Sequence, residues 1–270
     1  MDYQRFTVKI ENKIAHVAIN RPDKVNALDE IGWRELQTIF ETLDATPEAR
    51  VIILSGEGKH FCSGIDVSLL MSIRQQVSNE CEGRMRETMR QLILQLQATI
   101  NAIEKCRKPV LTAVHGGCVG GGVDIITACD MRYATEDAFF TVAEIDMGMV
   151  ADLGTLQRLP KLIGDGMARE MAYTGRRIYG PEAKEIGLVN RCFDDRESLL
   201  TAVTHLATLI ASKSPLSIRG SKEIITYTRD HSVADGLNYM AVWNAAMILS
   251  NDLNEAFMAK MEGRSPVFGD

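Results

Sequence analysis

The chain lacks any Cys-x-x-Cys pair, any net basic charge and any apolar run approaching the ~20 residues needed to cross a bilayer. Each absence excludes a class of protein. Its six cysteines (Cys62, Cys81, Cys106, Cys118, Cys129 and Cys192) stand mostly among apolar or small residues. They form neither a disulfide frame nor a zinc site, and read as reduced thiols of a cytoplasmic protein with no bound metal. A net charge of −6 argues against nucleic acid as a partner, because that affinity rests on clustered Lys and Arg. The basic residues Arg21, Lys24, Lys59, Arg84, Arg86 and Arg90 read as dispersed surface charge, or as contacts for a phosphorylated small ligand. MDYQRFTVKIENK lacks the apolar core of a signal peptide and the Arg/Ser-rich character of a transit peptide, and the terminal PVFGD is no peroxisomal address. No membrane partner is expected.

Several catalytic signatures are missing as well. The glycine-rich run HGGCVGGGVD has no G-x-G-x-x-G register and no following Gly-Lys-Ser/Thr, so dinucleotide and nucleoside-triphosphate readings lose ground. No G-x-S-x-G nucleophile elbow occurs.

What is present is the balance of an ordinary soluble globular chain, with 46% hydrophobic and 24% charged residues over 270 positions. Phe6 to Ile10 and Ile14 to Asn20 alternate as a β-hairpin. Asp29 caps a predicted helix through about Thr46, and Val51 to Leu54 forms a short buried strand. GEGKHFCSGIDVS follows as a loop, with Asp66 placed to start a helix. Met85 to Cys106 has helical spacing, and Val110 to Val114 is a strand feeding the HGGCVGGG turn, from which a helix emerges near Val123. Short strands and helices alternate to about residue 195; beyond it the pattern is almost entirely helical. An α/β body over 1–195 with a helical region over 196–270 is the expected organisation. Its mainly parallel sheet would place the ligand site where strands end and helices begin.

The chemistry concentrates at two such junctions. Glycines 116, 117, 120, 121 and 122 let backbone approach a ligand and leave unpaired N–H groups at a helix start, although tight strand–helix packing would explain them too. Gly64 and Ile65 offer a second N–H; two converging N–H groups make an oxyanion hole, whereas this loop by itself is a helix cap. Asp124, Glu144 and Asp152 stand among apolar or small neighbours. Burial would raise their pKa values toward neutrality, as proton transfer requires, while a cap or buried hydrogen bond is the alternative for each. Asp130 and Asp146 read as structural. His115, without a Ser or Cys partner, reads as a packed or turn-stabilising residue.

With these residues in view, NRPDKVNALD, VIILSG, FCSGIDV, KPVLTAVHGGCVGGGVDIITACDMRYAT, GTLQRLPKLIG, AKEIGLVN and SNDLNEAFMAKMEGRSPVF resemble the crotonase (enoyl-CoA hydratase/isomerase) superfamily over nearly the whole chain. The resemblance implies a spiral of ββα units with a helical C-terminal trimerisation region, giving a homotrimer or homohexamer. It also implies acyl-CoA thioester chemistry with no cofactor beyond the coenzyme A of the substrate. Oxyanion-hole amides would fall on Ile65 and Gly121, and Cys62, Ser63, Gly64, Ile65, Asp66 and Gly121 would contact substrate. Typical hydratases of the superfamily carry glutamates at positions 124 and 144 and glycine at 152. Asp124, Glu144 and Asp152 here look instead like the Δ3,5-Δ2,4-dienoyl-CoA isomerase branch, which implies a 1,5-proton shift in fatty acid β-oxidation. Asp152 would act at C2 and Glu144 at C6, with Asp124 positioning a group or tuning the pair. The alternatives are a 2-enoyl-CoA hydratase, a Δ3-Δ2-enoyl-CoA isomerase, or an RNA-binding homologue.

Overall fold

A computed structural model describes residues 3–270. The elements run β1 (Phe6–Glu11), β2 (Ile14–Ile19), α1 (Glu30–Ala45), β3 (Val51–Gly56), α2 (Val67–Gln76), α3 (Glu82–Lys105), β4 (Val110–Val114), β5 (Gly117–Val119), α4 (Gly121–Thr127), β6 (Met131–Thr135) and β7 (Phe139–Thr141). A 3₁₀ turn at Glu144–Met147 precedes α5 (Thr155–Ile163), α6 (Asp165–Thr174), β8 (Ile178–Tyr179), α7 (Gly180–Glu185) and β9 (Arg191–Phe193). Helices α8 (Arg196–Ala211), α9 (Pro215–Arg229), α10 (Val233–Met247) and α11 (Asn251–Glu262) complete the chain.

Strands β1-β2-β3-β4-β6-β9 form one sheet in that order, parallel except for the antiparallel β1–β2 hairpin. Because side chains alternate across a strand, Ile52 and Leu54 enter the core beneath α1 and α3, while Val51 and Ile53 point to the other face. That second face is covered by Leu199, Val203 and Ala207 of α8. Both faces are therefore buried, which explains why β3 and β4 are mostly apolar with no polar alternation. The expected boundary at residue 195 falls ahead of a helix that belongs with the sheet by its packing.

Asp29 caps α1 by accepting from Gly32 N–H, and Asp66 caps α2 by accepting from Ser68 N–H. The segment expected as one glycine turn contains a strand of its own: β5 pairs with β7 in a second, three-stranded sheet, β5-β7-β8. Strand β5 lies almost out of sight in the sequence, because Gly117, Cys118 and Val119 are too few to carry a periodicity and stand between glycines. No helix among the described residues is long and apolar enough to cross a membrane.

Candidate active site

Two loops meet edge to edge. Leu28 forms a parallel bridge with Ile65: Leu28 N–H donates to Gly64 C=O, and Asp66 N–H donates to Leu28 C=O. Backbone groups alternate in direction along an extended strand, so the Ile65 N–H points away from this splint, and it has no acceptor among the described residues. Across from it, α4 begins at Gly121, whose N–H is likewise free, as first-turn amides of a helix are. Gly64, at φ +89°, leaves no room for a side chain: a β-carbon there would lie 2.9 Å from Val119 O and 3.1 Å from the Gly121 nitrogen.

Ile65 and Gly121 line a cavity of about 780 Å³ together with Asp124, Glu144 and Asp152. All three acids singled out in the sequence therefore share one space. The remaining wall is almost wholly apolar, built by Trp33, by Leu70, Ile73 and Val77 at α2, and by a stripe of α3.

The three carboxyl groups differ in setting. Asp124, 1% exposed, sits in the first turn of α4, and its Oδ1 accepts from both the N–H and the hydroxyl of Thr155, each at 2.7 Å. Burial pushes its pKa up to about 6 against the pull of those bonds, and the charge of Asp152 adds to the rise. Glu144 opens the 3₁₀ turn and packs against Gly120, where a β-carbon would stand 3.1 Å from Oε1. Its Oε2 is buried with no hydrogen-bond partner among the described residues. Burial, then the charges of Asp124 and Asp152, push Glu144 up to about 7. Asp152 departs from the expected burial, since its side chain is exposed. Partial desolvation still raises its pKa, and its backbone C=O is held by Gln97 Nε2 at 2.7 Å.

Among the residues read as substrate contacts, Cys62 needs correction. It is wholly buried in the core, its thiol pushed up to about 12 by desolvation, and it is closed to any ligand. Ser63 is half-buried, with its N–H given to Val25 C=O. Asp66 is occupied by Ser68 and by Arg21 at 2.5 Å, and these bonds draw it down to about 2. Of FCSGID, only Ile65 faces the cavity. His115 and Asp130 do structural work: His115 Nε2 meets Gly58 C=O at 2.9 Å, and Asp130 accepts from Val110 N–H and Lys222. Thr155, Gln97 and Trp33 escaped the sequence reading, since only the folded chain brings them beside the acids.

The enoyl-CoA hydratase/isomerase family profile matches residues 9–270. The chain belongs to this family. Within it, the chain is 50% identical over 259 residues to the peroxisomal Δ(3,5)-Δ(2,4)-dienoyl-CoA isomerase of Arabidopsis thaliana, covering 96% of this chain and 93% of that one. It is 44% identical over 265 residues to the mitochondrial Δ(3,5)-Δ(2,4)-dienoyl-CoA isomerase of Mus musculus, covering 97% and 81%. The crystal structure of enoyl-CoA hydratase from Bacillus anthracis superposes with a TM-score of 0.89 at 32% identity, covering 98% of this chain and 99% of that one. This crotonase-type fold is the one expected from sequence. The expected cytoplasmic location is overturned, because these isomerase relatives are peroxisomal and mitochondrial. Reduced cysteines do not choose among reducing compartments.

Proposed function

We propose that this crotonase-family protein isomerises 3,5-dienoyl-CoA to 2,4-dienoyl-CoA. The observation that carries the reading is Asp152 in one apolar cavity with Asp124 and Glu144, in a chain 44–50% identical to dienoyl-CoA isomerases over nearly its full length. The Asp152 carboxylate takes a proton from C2. The C–H electron pair forms a C1–C2 double bond and moves charge onto the thioester oxygen, which the N–H groups of Ile65 and Gly121 receive. Collapse of this dienolate makes C2=C3 and C4=C5, and Glu144 delivers a proton to C6. One proton leaves and one arrives, so no oxidant and no cofactor beyond the substrate's coenzyme A is needed. C2 and C6 are four bonds apart, which is why two carboxyl groups serve better than one. Glu144, its pKa pushed up to about 7, keeps its proton on about half of the molecules at neutral pH; Asp152 is the most open of the three to solvent. Asp124 acts on the pair through its charge and its grip on Thr155.

The deciding experiment is a turnover assay on a 3,5-dienoyl-CoA beside a simple 2-enoyl-CoA. Rising absorbance of the conjugated dienoyl thioester supports isomerisation. Absorbance lost from the 2-enoyl thioester alone would favour hydration, the reaction named for the Bacillus anthracis structure.

For assembly, the proposal is a homotrimer or a homohexamer built from trimers. Helices α10 and α11 and the segment joining them leave large apolar side chains uncovered, among them Leu249 at 90% and Met261 at 82% exposure. Apolar surface of this extent favours a subunit contact.

A further inference from the structure

The cavity wall and the loop carrying Asp152 share one helix. Met85, Met89, Leu92 and Leu96 of α3 line the cavity, and their spacing of four, three and four residues keeps them on one face. The next residue, about 100° round the helix, is Gln97, which donates to the Asp152 carbonyl at 2.7 Å. Further along α3, Asn101 accepts from Arg158 at 2.7 Å, and Glu104 binds the same guanidinium at 3.1 Å. Arg158 lies under Gly154, where a β-carbon would come within 2.0 Å of Nη1. Glu104 also takes Arg229 from α9. Burial alone would raise the Glu104 pKa, but the two guanidinium partners draw it down to about 2, so it stays charged. Gln97, Asn101 and Glu104 thus form a second stripe: Gln97 holds the loop at Asp152, and Asn101 and Glu104 hold Arg158 of α5 behind it.

Resting on the isomerase reading above, we infer that α3 couples filling of the acyl channel to the placement of Asp152, with Gln97 as the positioning residue. Contacts between the acyl tail and the methionine–leucine stripe seat the helix, and Gln97 passes that seating to the Asp152 backbone. Such contacts raise kcat, whereas uniform binding would only lower KM. Displacing a reacting group by ~1 Å costs up to ~100-fold in rate, so a small seating motion suffices.

The test measures kcat and KM separately for 3,5-dienoyl-CoA thioesters of increasing tail length. Three proteins are compared: the wild type, Gln97→Met, which keeps length and shape but cannot donate, and Gln97→Lys, which keeps a donor. The wild-type kcat is expected to rise with tail length. Gln97→Met should lose about tenfold in kcat on long tails, the scale of one hydrogen bond, with KM held within about twofold and the length dependence flattened. Gln97→Lys should recover most of that loss. A wild-type kcat indifferent to tail length overturns the coupling by itself, even if Gln97→Met fails to fold. An equal loss by Gln97→Met at every length also overturns it. Absence of any wild-type turnover on 3,5-dienoyl thioesters would instead sink the isomerase reading, and the coupling with it.

Discussion

Thr155 holds Asp124 by one oxygen: its N–H and its hydroxyl both reach Oδ1 at 2.7 Å. Thr155 is the first residue of α5, so the Asp124 carboxylate ties the start of α4 to the start of α5 and satisfies an otherwise orphaned helix amide. Only Oδ2 remains for the cavity. Asp124 is therefore both a structural clamp and a fixed charge beside the other two acids.

Replacing Thr155 by valine removes the hydroxyl bond and keeps the shape. That bond is the foremost influence lowering the Asp124 pKa, so Asp124 gains a proton near neutral pH. Its lost charge no longer raises Glu144. With Glu144 as the proposed acid, the alkaline limb of the kcat profile, near pH 7, should shift to lower pH. An unmoved limb in a pH–rate titration would show that Asp124 does not tune Glu144.

Asp152→Asn removes the proposed base and leaves the apolar wall intact. Isomerase turnover should fall by about 10²–10⁴, the usual contribution of a positioned acid or base, while acyl-CoA binding measured by calorimetry stays within a few-fold. Retained turnover would remove Asp152 from the mechanism.

Gly64→Ala places a methyl group on the Gly121 amide, at a φ of +89° that alanine resists. With the Gly121 amide as the proposed oxyanion donor, its loss costs ~10²–10³ in kcat, so a fall of that order is expected, together with a lower melting temperature. Steady-state kinetics and a thermal melt check both.

The raised Asp124 pKa also sets a stability slope. Between its ordinary value of 3.8 and about 6, the folded state binds more protons than the unfolded chain, so stability falls as pH rises through that window and levels off above it. The shift corresponds to roughly 3 kcal/mol. Asp124→Asn keeps an acceptor for Thr155 and has no such slope. Denaturant titrations at pH 4 and 6.5 should show wild type losing more stability than the variant; parallel losses would contradict the buried setting of Asp124.

Leu249→Glu tests the assembly. Sedimentation should give a trimer or hexamer for wild type and smaller species for the variant, because a charge cannot be buried unpaired at a subunit contact. A wild-type monomer at micromolar concentration would reject the assembly.

Much of this was legible in the residues themselves. Period-two alternation marked β1 and β2, apolar spacing marked α1 and α3, and Asp29 and Asp66 announced helix starts because a short acceptor before an apolar repeat has few other uses. The acids at 124, 144 and 152 stood out because charge among apolar neighbours needs a reason. What local pattern could not hold was partnership across distance. Cys62 stands two residues from Gly64, yet its thiol faces the core; Asp152 sits among apolar residues, yet opens to solvent. Thr155 meets Asp124 across 31 positions and Gln97 meets Asp152 across 55. Sequence by itself determined which groups were available and which segments would carry them, since propensity and periodicity act over a few residues. Only the tertiary structure decided which carboxyl group is clamped, which is shielded and which is open, because desolvation and hydrogen bonding depend on neighbours that the chain brings together by folding.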